Sequence, residues 1–165
     1  MAKDVIGIRD EYKTFGTMHI LNTQKGVYYI ADTLINRHPD EDVLTDIAKV
    51  SAGTVKFFNE EPVMAMLSYS NFGTDNVGSP VKVKKAVAEM QKEFPELAID
   101  GEMQVNYALN KDLRDEKYPF SRLKGKDVNT LVFPNLSSAN GSIMMFFTDA
   151  CSSCPNAVKI ATAIG

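Results

Sequence analysis

The chain predicts an α/β protein: a three-layer α/β/α sandwich built on a mainly parallel sheet. Three observations carry this. Runs of strand character alternate with amphipathic helical stretches in units of about 30 residues, the length of a strand–helix–strand repeat. The run "PVMAMLSYS" is apolar over most of its length, as a strand covered on both faces must be. Apolar runs repeatedly end in clusters of acid, amide, serine and glycine, where strands hand over to helices in such sheets.

The elements follow in order. "GTMHILNTQKGVYYIADTLI" reads as two strands joined by a turn at Gln24, Lys25 and Gly26, the second running to about Ile35. Asp40 is an N-cap candidate, with Glu41 and Asp42 suited to the positive end of the following helix dipole. Leu44, Ile47, Ala48, Val55 and Phe58 fall on one face of that helix. After the apolar strand, Ser79 and Pro80 open a second helix as cap and first-turn proline. Its buried stripe is Val83, Ala86, Val87, Met90 and Phe94. "LAID" is the next strand, "VNYALNKDLRDE" the next helix and "VNTLVFP" the strand after it.

The bulk numbers bound the function. The chain has 165 residues, 44% hydrophobic and 24% charged, enough for one ordinary domain with a sizeable core. A net charge of −3, with 18 Lys and Arg scattered along the chain, offers no electrostatic case for nucleic acid. No apolar run approaches the roughly 20 residues of a membrane span. The N-terminus is charged within four residues and carries no signal-peptide apolar region, so a cytoplasmic protein is expected. There is no Gly-x-Gly-x-x-Gly or Walker loop. His19 and His38 read as structural or surface residues, and the two cysteines with the two histidines make no metal site, so none is expected.

In "LAIDGEMQVNYAL" the acids Asp100 and Glu102 bracket Gly101 where an apolar strand ends. Ligands in parallel α/β sheets sit outside the carboxyl ends of the strands, so this cluster is a candidate site. "DTLIN" (Asp32 to Asn36), "SYSNFG" (Ser68 to Gly73) and "FPNLSSAN" (Phe133 to Asn140) are equivalent strand ends. The same residue types also cap helices and make turns, so Ser70, Asn71 and Ser79 are equally readable as turn chemistry. The cations available to an anionic ligand are few: Arg9, Arg37 and Arg122, together with helix N-termini.

The ordered segments "ADTLINRHPDEDVLTDIA", "EPVMAMLSYSNFGT", "PELAIDGEMQVNYAL" and "YPFSRLKGKDVNTLVFPNLSSAN" resemble the phosphate acetyl/butyryltransferase family. Within it, the chain resembles the version fused as the C-terminal domain of bacterial hybrid NADP-dependent malic enzymes. The resemblance runs from about Val5 to Asn140. It implies a two-lobed α/β fold whose cleft moves an acyl group between coenzyme A and inorganic phosphate, or, in the hybrid enzymes, senses acetyl-CoA and builds a homo-oligomer. It implies no tightly bound cofactor. Coenzyme A, acetyl-CoA or an acyl phosphate is the expected ligand. The positions matching the family's cleft segments are Asp32, Asn36, Ser68, Ser70, Gly73, Asp100, Gly101, Glu102, Asn135 and Asn140, with no catalytic residue assigned. The upstream half-lobe and the late catalytic segment of the family have no counterpart, so residues 1–140 are expected to be a partial domain, inactive alone. A non-catalytic assembly fragment is the alternative.

Residues 141–165 are a divergent apolar tail with one acid, Asp149, and one base, Lys159. Read physically, the tail is a further strand at Ile143 to Phe147 and a helix opening at Pro155, with Ala157, Val158, Ala161 and Ile164 on its apolar face. Cys151 and Cys154 at such a helix start are the spacing of a dithiol redox site, a third and weaker reading.

Overall fold

A computed structural model describes residues 14–23, 25–142 and, as strand backbone, 160–164. A hairpin opens the fold: β1 (Thr17–Thr23) pairs antiparallel with β2 (Gly26–Ala31), Thr23 opposite Gly26. Then come α1 (Glu41–Phe57), β3 (Val63–Leu67), α2 (Ser79–Glu93) and β4 (Ala98–Met103). Two short helices, α3 (Val105–Leu109) and α4 (Lys111–Lys117), precede β5 (Thr130–Val132). The last described strand is β6 (Ile160–Ile164).

The strand order is β4-β3-β5-β2-β1-β6. The pairs β3–β4, β3–β5 and β2–β5 are parallel, whereas β1 runs antiparallel to both its neighbours. The sheet is therefore mixed: the four consecutive strands β4-β3-β5-β2 are parallel, as the alternating pattern requires, and β1 and β6 extend it antiparallel. Period-two alternation sends successive side chains to opposite faces. Met64 and Met66 join Leu44, Ile47 and Val55 of α1 and Val83, Ala86 and Met90 of α2. Ala65 and Leu67 join Ile30, Leu131, Phe133, Ala108 and Leu123 on the other face. β3 is thus covered on both sides, which is why its sequence is continuously apolar. Each such fully buried Leu, Ile or Met contributes about 1.5–3 kcal/mol. Among the described residues no helix is long and apolar enough to cross a membrane.

Local signals place α1 as expected: Asp40 accepts from Val43 N at 2.9 Å, and Glu41 and Asp42 sit in the first turn. Elsewhere the structure differs from the sequence reading. β2 stops at Ala31 because the Asp32 carboxylate takes the amides of Leu34 and Asn36 and turns the chain. Ser79 is the first helical residue of α2, and the cap is Gly78, with no side-chain bond. Phe58 and Phe94 are the C-caps of α1 and α2, so they lie beyond the buried stripes and are exposed. The helix expected from Val105 onward breaks at Asn110, whose side chain accepts from Leu113 N and starts α4 anew.

The tail gives a further correction. Ile160 to Ile164, expected on a helix, form β6 against the outer edge of β1. Ile160, Thr162 and Ile164 are β-branched, and an unpaired strand edge supplies the backbone partners a lone helix face lacks. The expected strand at Ile143 to Phe147 and both cysteines lie outside the described residues.

Candidate functional site

β4, β3, β5 and β2 run parallel, so their carboxyl ends share one edge of the sheet. Between the ends of β3, β4 and β5 lies a cleft of about 500 Å³, lined by Ser68, Tyr69, Gln104, Pro134, Asn135 and Ser138, among others. Ser79, at the N-terminus of α2, also faces it. The free amides of that first turn add partial positive charge there.

The ten residues named from sequence divide by what they touch. Ser68 and Asn135 line the cleft. The Ser68 hydroxyl is buried and has no hydrogen-bond partner among the described residues. Asn135 caps the helix beginning at 136, accepting from Ser138 N at 2.9 Å.

Ser70, Gly73 and Glu102 form a network beside the cleft. Glu102 is fully buried, and its Oε1 accepts from Gly73 N at 2.5 Å and from Ser70 Oγ at 3.4 Å. Ser70 Oγ also meets Thr74 Oγ1 and accepts from Asp75 N, so the segment after β3 is folded around one carboxylate. Asn71 Oδ1 accepts from Gln104 N at 2.8 Å, and Gln104 Nε2 donates to Tyr69 O, tying this segment to the end of β4.

Asp32 and Asn36 brace the end of β2. Asp32 accepts from Asn36 N and Nδ2 and from the amide and hydroxyl of Thr17 at the start of β1. The segment after β2 adjoins the one after β5, since Leu136 N donates to Arg37 O. Arg37 and Arg122 are exposed, and Arg9 lies outside the described residues.

Asp100, Gly101 and Glu102 are not beyond the strand but within it, because β4 continues to Met103. Polar residues around a glycine read as a turn by local chemistry. Here hydrogen bonds with other segments hold Asp100 and Glu102 within the strand. Asp100 Oδ2 accepts from Ser121 Oγ and Arg122 N, each at 2.8 Å. Gly101 holds φ of +147°, and a Cβ there would collide with Met66 O, so β3 and β4 approach too closely for any side chain. Asn140, five residues after Asn135, is exposed and does not line the cleft.

Sequence reasoning passed over Arg114, which is fully buried. Its guanidinium donates to Ala108 O, Leu123 O and Lys126 O, fixing the loop between α4 and β5. Burial lowers its pKa, opposed by Asp115, Asp127 and Asp100. No local pattern marks it, because its acceptors are main-chain carbonyls. On the cleft rim, burial and then the Asp75 carboxylate push the Tyr69 hydroxyl up, so it stays protonated and donates to Val77 O. His19 lies 2.6 Å from Thr33 Oγ1, the structural role expected of it. Among the described residues no group of three or more His, Cys, Asp or Glu is placed to hold a metal ion.

Four parallel strands with a cleft outside their carboxyl ends define an α/β domain of the kind whose ligands sit at that edge. Residues 1–151 match the family described as phosphate acetyl/butaryl transferase, and the chain belongs to that family. The NADP-dependent malic enzyme of Escherichia coli is 41% identical over 139 residues, which are 84% of this chain and 18% of that protein. The phosphate acetyltransferase of Bacillus subtilis is 37% identical over 139 residues, 84% of this chain and 43% of the relative. In structure, the EutD phosphotransacetylase from Staphylococcus aureus superposes with a TM-score of 0.82 at 26% identity, covering 98% of this chain and 47% of that one. A phosphotransacetylase from Streptococcus pyogenes gives 0.80 at 30% identity, covering 87% and 44%. The chain thus spans less than half the length of these relatives. It is a phosphate acetyltransferase-type domain.

Proposed function

We propose that this domain supplies one wall of a cleft that binds an acyl-CoA and an acyl phosphate, and that the complete cleft transfers the acyl group between coenzyme A and inorganic phosphate. One observation carries the reading. The ends of β3, β4 and β5 converge on a cleft beside the first turn of α2, where the Ser68 hydroxyl has no partner among the described residues. In the transfer, a phosphate oxygen attacks the thioester carbonyl, an oxyanion develops there, and the C–S bond breaks to release the thiolate. Hydroxyl and amide donors aimed at that oxyanion and at the phosphate are what such a step needs. Ser68 and Asn135 would contact ligand. Ser70, Gly73, Asp100, Gly101 and Glu102 would hold the cleft's shape, with Asp32 and Asn36 bracing its far side and Asn140 standing outside it.

The similarity to malic enzymes supports a second reading, in which the same cleft binds acetyl-CoA as an effector and the domain helps build a homo-oligomer. Both readings take residues 1–140 as the functional part, in a cytoplasmic protein. Titration calorimetry with acetyl-CoA and with acetyl phosphate separates them. Binding of both ligands supports transfer, binding of acetyl-CoA alone supports the effector role, and binding of neither removes both.

A further inference from the structure

Residues 117–126, "KYPFSRLKGK", hold four cations, two aromatics and no acid. Lys117 pairs with Glu116, whereas Arg122, Lys124 and Lys126 are exposed. Phe120 is 68% exposed, yet it is not alone. Its ring lies 5.1 Å from Phe72 and 6.0 Å from Tyr118. Tyr118 in turn stands 4.7 Å from Phe72 and 5.0 Å from Tyr107. A solvent-facing aromatic cluster flanked by cations is a surface looking for a flat, anionic ligand.

The loop is held rigid by two buried charges of opposite sign. Asp100 takes Ser121 Oγ and Arg122 N, and Arg114 donates to Leu123 O and Lys126 O. Gly125 N donates to Asp115, and Lys124 N and Lys126 N close successive turns onto Ser121 O and Leu123 O. Burying charges to fix an exposed loop is costly, and apolar packing would serve stability as well. What the arrangement secures is presentation: a ring packed in place and a fixed main chain beneath the cations lower the ordering entropy lost on binding. The shelf also adjoins the cleft. Phe72 follows Asn71, whose side chain holds Gln104 N, and Gln104 lines the cleft, so one extended ligand can occupy both.

We propose that the Phe120 shelf binds a phosphorylated purine nucleoside, the nucleotide end of the acyl-CoA, with the base stacked on Phe120 and the 3′-phosphate met by Arg122 and Lys124. This rests on the reading of the cleft as an acyl-CoA site. The test is titration of the folded chain, its phenylalanine variants and the double variant R122A/K124A with acetyl-CoA, acetyl-dephospho-CoA and S-acetylpantetheine. Phe120→Leu keeps apolar bulk and removes the ring face, and Phe120→Trp restores one. Acetyl-CoA affinity is expected to fall about 5- to 100-fold in F120L and to recover in F120W, since base–aromatic stacking has that scale. S-acetylpantetheine affinity is expected not to change. R122A/K124A is expected to abolish the preference for acetyl-CoA over its dephospho form. Acetyl-CoA affinity unaltered in both F120L and R122A/K124A overturns the shelf while leaving the cleft reading intact. Absence of binding by both acetyl-CoA and S-acetylpantetheine to the parent chain overturns the two together.

Discussion

The main-chain amide of Gly73 donates to Oε1 of Glu102 at 2.5 Å, while Oε2 of the same buried carboxylate has no partner among the described residues. One oxygen therefore organises the segment after β3. Glu102→Gln keeps that acceptor and should stay within about 1 kcal/mol of the parent. Glu102→Ala strands the Gly73 amide and should cost about 2–3 kcal/mol. Urea unfolding measures both, and equal losses would mean that charge rather than acceptor geometry holds the segment.

Two glycines with positive φ should respond unequally to alanine. At Gly101 a Cβ meets Met66 O, whereas at Gly125, φ +73°, nothing lies within 4 Å. Gly125→Ala carries backbone strain alone, about 1 kcal/mol, and Gly101→Ala adds a backbone clash, about 2–5 kcal/mol in total. Thermal and chemical denaturation measure both, and equal losses in the two variants would rule out the close approach of β3 and β4.

Ser68 separates ligand binding from stability. Its hydroxyl makes no hydrogen bond among the described residues, so Ser68→Ala should change stability by less than about 0.5 kcal/mol. If the hydroxyl meets ligand, acetyl-CoA or acetyl phosphate affinity should fall roughly 2- to 12-fold, the worth of one hydrogen bond. An unaltered affinity would take Ser68 out of the site.

His19 makes stability depend on pH. Burial lowers its pKa, so the folded state binds fewer protons than the unfolded chain. Its contribution is complete above the unfolded value of about 6.5 and is lost as pH falls through the lowered folded value. His19→Gln should flatten the fall in stability as pH drops below the unfolded value of about 6.5. An unchanged slope in the urea midpoint would assign the effect elsewhere.

The chain by itself should not convert acetyl-CoA and phosphate to acetyl phosphate at a useful rate. It spans less than half of the Bacillus subtilis and Staphylococcus aureus relatives, and every transition-state donor lying outside it costs about 10²–10³-fold. A coupled assay releasing free thiol decides this, and sustained turnover would refute it.

What could be read from sequence was what neighbouring residues decide among themselves. The period of the apolar residues separated strand from helix, Asp40 marked the start of α1 through its bond to Val43 N, and the uninterrupted apolar run of β3 announced a sheet covered on both faces. The clustering of strand ends was legible too, because a parallel sheet sends them to one edge whatever the order of its strands. Tertiary structure alone chose the partners. Asp100 reaches Ser121 and Arg122, Asp32 reaches back to Thr17, and Arg114 holds carbonyls up to twelve residues away, none of which leaves a local trace. For the same reason "DGE" resembles a turn and is a strand: local propensity registers polar groups beside a glycine, while the bonds that keep them extended come from other segments. Ile160 to Ile164 carry apolar residues that suit a helix or a strand, and the open edge of β1, far away in sequence, settled the choice.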